Sequence, residues 1–366
     1  MSPPNSPVTY TDISVYRILD ANLDRAREGL RPLEDWCRFG LNHRELTEKF
    51  KHLRQSLAQW HTADLRAARD TPGDEGTAIT HPQEKVRSSV TQVLQANFCR
   101  VEEALRSLEE FGKIQRPDMA AACKQMRYQV YTLESTVLGH QRRQQLLKAQ
   151  IYLVTAPAEN LLEAVEAALQ GGLQIVQYRE KQAEDCDRIV IARQLKALCQ
   201  RYGALFLIND RVDLAIAVDA DGVHLGQQDL PIAVARDLLG SHRIIGRSTT
   251  NPEEMAKAVA EGADYIGVGP VYATPTKPDK PAAGLDYVRY AAANAPVPFY
   301  AIGGIDTQNL SEVIAAGAHR VAVVRAIMKA DDPTATTQRC LSQLQHHPVL
   351  PPTRDDDPNV SIADNP

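Results

Sequence analysis

In the run 177-QYREK-181, Gln177, Arg179 and Lys181 stand two residues apart, so on an extended strand all three face the same way. Two cations and an amide converging there suit a polyphosphate; the plain alternative is a solvated, charged strand end. A second β-rich run, LFLIN, closes on Asn209-Asp210, and a third is followed by 226-GQQDLP-231, which carries Asp229. Two carboxylates on neighbouring loops can share a Mg2+, an ion that takes one or two protein carboxylates and completes its shell with water and phosphate oxygens. Either aspartate alone could equally cap a helix. Ser248 and Thr249 end another such run. The segment 270-PVYATPTKPDKP-281 is too polar and irregular for a helix. Its Thr274, Thr276 and Lys277 could bond a phosphate as a lid, or the segment could be a long exposed connection. In 301-AIGGID-306, Gly303 and Gly304 precede a helical pattern, where backbone N–H groups can approach an anion closely, although paired glycines also make ordinary turns. His224, inside GVHLG, reads as a satisfied core histidine whose ring could still face the site. No nucleophilic triad accompanies these groups.

Such residues need a scaffold that brings strand ends together. Eight short β-rich runs follow residue 150: IYLVT (151–155), QIVQYR (174–179), LFLIN (205–209), GVHLG (222–226), IIGRS (244–248), YIGVGP (265–270), FYAIGG (299–304) and RVAVVR (320–325). Helical patterns such as 159–170, 184–202, 252–261 and 306–316 separate them. The alternation predicts a parallel (β/α)8 TIM barrel over 149–347, with its site at the C-terminal strand ends; an open doubly wound sheet is the alternative. Earlier residues, 12–148, read as an all-α domain, with apolar helical spacing in 14–39, 43–69, 83–113 and 117–148 and a turn-rich loop, 69-RDTPGDEGT-77. Residues 1–11 and the tail 348–366 are expected to be disordered.

The totals are those of an ordinary globular chain: 366 residues, 43% apolar and 24% charged. Up to Gln150 there are 22 Lys and Arg against 19 Asp and Glu, leaving 19 against 27 beyond it, so the parts carry +3 and −8. That asymmetry supports a boundary but supplies no basic face for nucleic acid. No apolar run approaches the roughly twenty residues of a membrane helix, and MSPPNSP does not read as a signal peptide. Six scattered cysteines without a C-x-x-C pair fit buried thiols in a reducing compartment, so a cytoplasmic location is expected.

The helical region speaks twice. The stretch 21-ANLDRAREGLRPLEDW-36 returns as 96-ANFCRVEEALRSLEEF-111 with eight of sixteen positions identical. Asn22, Arg25, Glu28, Arg31 and Glu34 recur as Asn97, Arg100, Glu103, Arg106 and Glu109. The charged members form an i, i+3 ladder around the polar side of each helix, whereas Asn22 and Asn97 fall inside the apolar stripe and demand partners. An internal repeat packed about a pseudo-twofold follows, with amides and charges meeting across the pair. A ligand site is the second reading, drawing on Asn22, Arg25, Glu28, Asn97, Arg100 and Glu103 and extending to Arg54, Arg69, Asp70, Asp74, Gly76 and Arg87.

QYREK, IND, HLGQQD, GRSTT, the ATPTK loop and AIGGI, in this order over about 148–330, resemble the thiamine phosphate synthase family. The resemblance implies that Gln177, Arg179, Lys181 and Asn209 hold a pyrimidine diphosphate and that Asp210 and Asp229 bind Mg2+. By the same resemblance, Ser248 lies near the reacting pyrimidine, and Thr274, Thr276 and Lys277 close over the phosphates. Gly304 with the backbone near Val323 and Val324 would hold a thiazole phosphate. Arg179, Lys181, Ser248 and Lys277 would be the catalytic set. The implied reaction condenses 4-amino-2-methyl-5-hydroxymethylpyrimidine diphosphate with 4-methyl-5-(2-hydroxyethyl)thiazole phosphate, or its carboxylated form, giving thiamine phosphate and diphosphate by a dissociative route. Ala156 and Arg325 depart from the family pattern, which often has Asp and a small polar residue there. A thiazole tautomerase-like barrel and a non-catalytic phosphate-binding barrel are the competing readings. Residues 12–140 are similar to a helical module fused to such synthases and associated with hydroxymethylpyrimidine phosphate kinase activity, although no Walker-type G-x-x-x-x-G-K-[ST] is present. A structural or assembly role is its alternative, and a homo-oligomer is compatible with the whole.

Overall fold

The structure, a computed structural model, describes residues 10–70, 72–73, 87, 89–274 and 281–345. Asp74, Gly76, Thr276 and Lys277 lie outside the described residues, as do 1–9 and the tail expected to be disordered. Two compact units part near Gln144.

The first unit is helical: α1 (Tyr10–Asp35), a π-helical turn (Trp36–Gly40), α2 (Arg44–Gln59), α3 (Ala63–Ala67), α4 (Val90–Gln115) and α5 (Pro117–Lys148). Leu19, Leu23, Ala26, Leu30 and Leu33 on α1, and Leu94, Phe98, Val101, Leu105 and Leu108 on α4, recur at three- and four-residue spacing and are buried in one core. Ser89 caps α4 by accepting from Gln92 N–H at 3.3 Å. Gly29 permits the close approach of α1 to α4, since a Cβ there would stand 2.7 Å from Val101 Cγ2.

Three expectations for this unit change. The pattern over 43–69 is not one helix, because the chain breaks at Trp60–Thr62 between α2 and α3. Asn22 and Asn97 are buried, but each amide donates to the carbonyl one turn back in its own helix, Ile18 O and Val93 O, both at 2.8 Å. The partner across the pair is unnecessary because the helix itself supplies an acceptor. Glu34 and Glu109 leave the solvated ladder as well. Each is buried and paired with an arginine of the following long helix, Arg54 of α2 at 2.9 Å and Arg127 of α5 at 2.8 Å.

In the second unit, β1 (Ile151–Val154), β2 (Ile175–Tyr178), β3 (Leu205–Asn209), β4 (Gly222–Leu225), β5 (Ile244–Thr249), β6 (Tyr265–Val268), β7 (Phe299–Ile302) and β8 (Val321–Val323) pair in parallel, in order. β8 returns to β1 through Ile151↔Val321, closing the barrel and excluding the open sheet. The joining helices are α6 (Leu161–Gln170), α7 (Asp185–Tyr202), α8 (Val212–Ala217), α9 (Ile232–Leu239), α10 (Pro252–Ala260), α11 (Gly284–Asn294) and α12 (Leu310–Ala315), with α13 (Arg325–Met328) and α14 (Pro333–Gln345) after β8. Strands buried on both faces explain the unbroken apolar runs. One core lies between strands and helices, and a second fills the barrel with Tyr152, Ile175, Leu205, Leu207, Tyr265 and Tyr300. Gly246 makes room for that filling: a Cβ there would lie 2.1 Å from Tyr265 Cζ.

Candidate active site

The C-terminal strand ends enclose a cavity of about 320 Å³, a volume suited to small ligands. Gln177 and Arg179 from β2 reach it, as does Asn209 from the end of β3. The Arg179 main-chain N–H donates to Thr155 Oγ1 at 2.9 Å, which ties the strand end to β1 while the side chain faces the cavity.

Beyond Asn209 the chain places three charges together. Asp210 adopts a left-handed conformation (φ 63°), and its N–H donates to His224 O at 2.9 Å, turning the carboxyl out of the strand. Lys181 Nζ lies 3.3 Å from Asp210 Oδ2. Asp229 is oriented by its own loop, with Oδ2 accepting from Gly226 N–H at 2.6 Å. Burial, and then the facing Asp229 carboxylate, push the Asp210 carboxyl above the usual carboxylate range, against the pull of Lys181. Two half-buried carboxylates that repel one another, with oxygen donors only, fit a hard divalent cation. Lys181, Asp210 and Asp229 do not themselves line the cavity; Asp229 borders a smaller hollow with Gln227, Arg247 and Glu261.

Inside the barrel, a chain of side-chain hydrogen bonds runs from the cavity floor. Ser248 Oγ meets His224 Nε2 at 2.9 Å, His224 Nδ1 meets the Tyr265 hydroxyl at 2.9 Å, and that hydroxyl meets Tyr152 OH at 2.8 Å. The Gln177 amide donates to Tyr152 OH, completing a link between two strand ends on different sides of the barrel. Burial foremost pushes the Tyr152 and Tyr265 phenols above their ordinary range, so both stay neutral. Tyr300 closes the layer by donating to Leu146 O at 3.0 Å and Ala149 O at 3.1 Å. His224 thus combines both expectations, a satisfied histidine that also faces the cavity. Tyr152, Tyr265 and Tyr300 were not singled out from sequence; the available signal was a tyrosine inside each of three apolar strands, whose hydroxyls need partners once buried.

The other wall is a glycine turn. Gly303 (φ 107°) and Gly304 (φ 71°) take conformations open to glycine, and a Cβ on Gly304 would press on Tyr272 Cβ at 2.7 Å. Asn309 Nδ2 donates to Gly304 O at 2.8 Å and holds the turn. Gly304, Val323, Val324, Arg325 and Thr274 line the cavity together. Ser248 reaches it from β5, whereas Ala156 does not line it.

A family model described as thiamine monophosphate synthase matches residues 151–327, and one described as the ThiD2 family matches 17–136. Curated thiamine-phosphate synthases from Nostoc punctiforme and from Synechocystis are each 67% identical, over 90% of this chain and 94% and 96% of theirs. The chain belongs to the thiamine-phosphate synthase family. A solved thiamine phosphate pyrophosphorylase from Pyrococcus furiosus superposes with TM-score 0.51 at 38% identity, covering 54% of this chain and 96% of that one. As a thiamine-phosphate synthase family member the chain is a transferase of thiamine biosynthesis. No helix among the described residues is long and apolar enough to cross a membrane.

In this thiamine-phosphate synthase family chain, the six candidates of the helical repeat are spread along two helices. Asn22 and Asn97 are buried, while Arg25, Glu28, Arg100 and Glu103 are exposed. Arg100 donates to Asn97 Oδ1 at 3.2 Å, and Glu103 accepts from Cys99 Sγ at 3.3 Å. Arg69, by contrast, turns inward to Asp20 and Asp24.

Proposed function

We propose that the barrel joins a hydroxymethylpyrimidine diphosphate to a hydroxyethylthiazole phosphate, releasing thiamine phosphate and diphosphate. The observation that carries this reading is one cavity with Arg179 on one wall, the Lys181–Asp210 pair just beyond it, and a glycine cradle on the other wall. The bond between the pyrimidine methylene and the diphosphate oxygen breaks, and its electron pair leaves with diphosphate. The aminopyrimidine stabilises the resulting carbocation, and the thiazole nitrogen lone pair forms the new C–N bond. No proton is removed, so the Ser248–His224 pair serves to position a group and not to deprotonate one.

Arg179 and Lys181 neutralise the charge that grows on the leaving group, the electrostatic contribution that usually dominates such catalysis. Lys277, with Thr276, joins them only on the strength of the resemblance; Thr274 lines the cavity. Asp210 and Asp229 would hold Mg2+, which when bound supplies positive charge to the diphosphate oxygens. The Ser248 hydroxyl, its direction set by His224, positions the pyrimidine above the tyrosine layer. Gly303, Gly304 and the backbone near Val323 and Val324 receive the thiazole phosphate, with Arg325 as an added cation at that wall.

Diphosphate release on mixing both substrates tests the reading directly, because neither a tautomerase nor a phosphate-sensing barrel releases it. Asp229→Ala is expected to lower coupling roughly hundredfold or more, about 2.7 kcal/mol of barrier, with the fold kept. Near wild-type turnover in that variant would remove the metal assignment.

For the helical unit, the ThiD2 match over 17–136 supports phosphorylation of the pyrimidine monophosphate, which would supply the barrel's substrate.

A further inference from the structure

Three donor side chains converge in the helical unit, outside the repeat's own candidates. Asp20 and Asp24 stand four apart on α1 and share a face. His61 comes from the break between α2 and α3. Its Nε2 lies 2.6 Å from Asp20 Oδ1, and its Nδ1 lies 3.6 Å from Asp24 Oδ1. His61 is 8% exposed and Asp20 2%, and His61 Nδ1 has no hydrogen-bond partner among the described residues. One donor atom from each of the three residues lies within 4.8 Å of the other two.

The bonding pattern dictates what Nδ1 offers. The Asp20 carboxylate accepts at Nε2, which leaves Nδ1 directed toward a second carboxylate. Nδ1 and Asp24 Oδ1 face one another, and Arg27 Nη1 also lies 3.6 Å from that oxygen. The 3.6 Å between Nδ1 and Oδ1 is close to the separation of two ligands on one ion. With metal–ligand bonds of about 2.1 Å and a tetrahedral angle, the donors stand roughly 3.4 Å apart. A carboxylate behind a ligating imidazole is also the usual device for fixing its tautomer and orientation.

Arg69 occupies the other side of the cluster. Its Nε donates to Asp20 Oδ2 at 2.6 Å and its terminal nitrogen to Asp24 Oδ2, so both carboxylates are steadied by the oxygens that do not face His61. Oδ1 of Asp24 faces His61 and lies 3.6 Å from Arg27 Nη1, a long contact that an ion would share or displace.

We propose that Asp24 and His61, with Asp20 holding the ring, form a site for one divalent cation of borderline softness, such as Zn2+ or Mn2+. The imidazole nitrogen sets it apart from the all-oxygen pair of the barrel, which suits Mg2+. Open coordination positions are left for water or for the oxygens of a phosphorylated ligand.

The test uses the full chain, stripped by chelator and carrying Asp210→Asn and Asp229→Asn to silence the barrel pair. Equilibrium dialysis against Zn2+ and against Mn2+ should find about one tightly held equivalent, and His61→Gln or Asp24→Asn should weaken it roughly tenfold or more. No bound equivalent, or unchanged affinity in His61→Gln, would overturn the site and leave an internal ion pair. Should those variants fail to fold by circular dichroism, spin-echo spectra of Mn2+ on the chain with His61 intact decide the matter. Imidazole nitrogen coupling supports the proposal, and its absence refutes it.

Discussion

Tyr265 is the residue on which the cavity floor turns. Its hydroxyl stands between His224 and Tyr152, both of which lose a partner if it goes. Tyr265→Phe should keep the ring packing, cost about 1–3 kcal/mol of stability for the groups left unsatisfied, and slow coupling about tenfold by freeing Ser248. Urea unfolding and initial rates of thiamine phosphate formation check both, and an unchanged rate would reduce the tyrosine chain to packing. Asp210 makes the opposite trade. Its folded carboxyl binds its proton more tightly than an unfolded one, so the stability this group contributes is present at low pH and lost as pH rises through the raised value. At neutral pH the cation-free chain carries that cost. Asp210→Asn should therefore raise the urea midpoint of the chelator-treated protein at neutral pH while removing coupling; a lowered midpoint would contradict the repulsion.

At the scale of elements, all eight strand runs and the four barrel helices singled out were legible, because alternating strand and helix leave clear periods separated by turn residues. The break at Trp60–Thr62 was not. Leu53, Leu57 and Leu65 keep to one helical face across it, so apolar periodicity is blind to the interruption that carries His61 to Asp20. The echo was legible as a repeat, but the partners of its carboxylates were not. Arg54 and Arg127 belong to other helices and meet Glu34 and Glu109 only after packing. Another carboxyl of the second copy, Glu102 on α4, is pushed up to about 7 by burial and then by the charge of Glu134 on α5. Because the folded value is raised, its contribution to stability is held below the ordinary glutamate range and lost as pH rises through about 7. Glu102→Gln should flatten that slope and stabilise the chain on the alkaline side. Urea midpoints across the range would show this, and parallel curves for the two proteins would count against it.

For the molecule as a whole, the two family matches fall on separate stretches, 17–136 and 151–327, one to each compact unit. If the helical unit phosphorylates the pyrimidine monophosphate, the intact chain given that monophosphate, ATP and thiazole phosphate should form thiamine phosphate. Asp229→Ala should then accumulate pyrimidine diphosphate, because only the second step is blocked. Product formed from added diphosphate but not from monophosphate and ATP would leave the helical unit a structural role.

The sequence by itself determined the barrel and the kinds of groups at its strand ends. Those depend on hydrophobic period and on side-chain direction along a strand, both of which are local. Gln177, Arg179, Asn209 and Ser248 reach the cavity for that reason. Only the tertiary structure decided which distant hydroxyls complete the floor, where Asn22 and Asn97 find acceptors, and that His61 turns to meet Asp20 and Asp24. A buried polar atom must be satisfied by whatever neighbour packing brings to it, and spacing along a chain does not say which neighbour that will be.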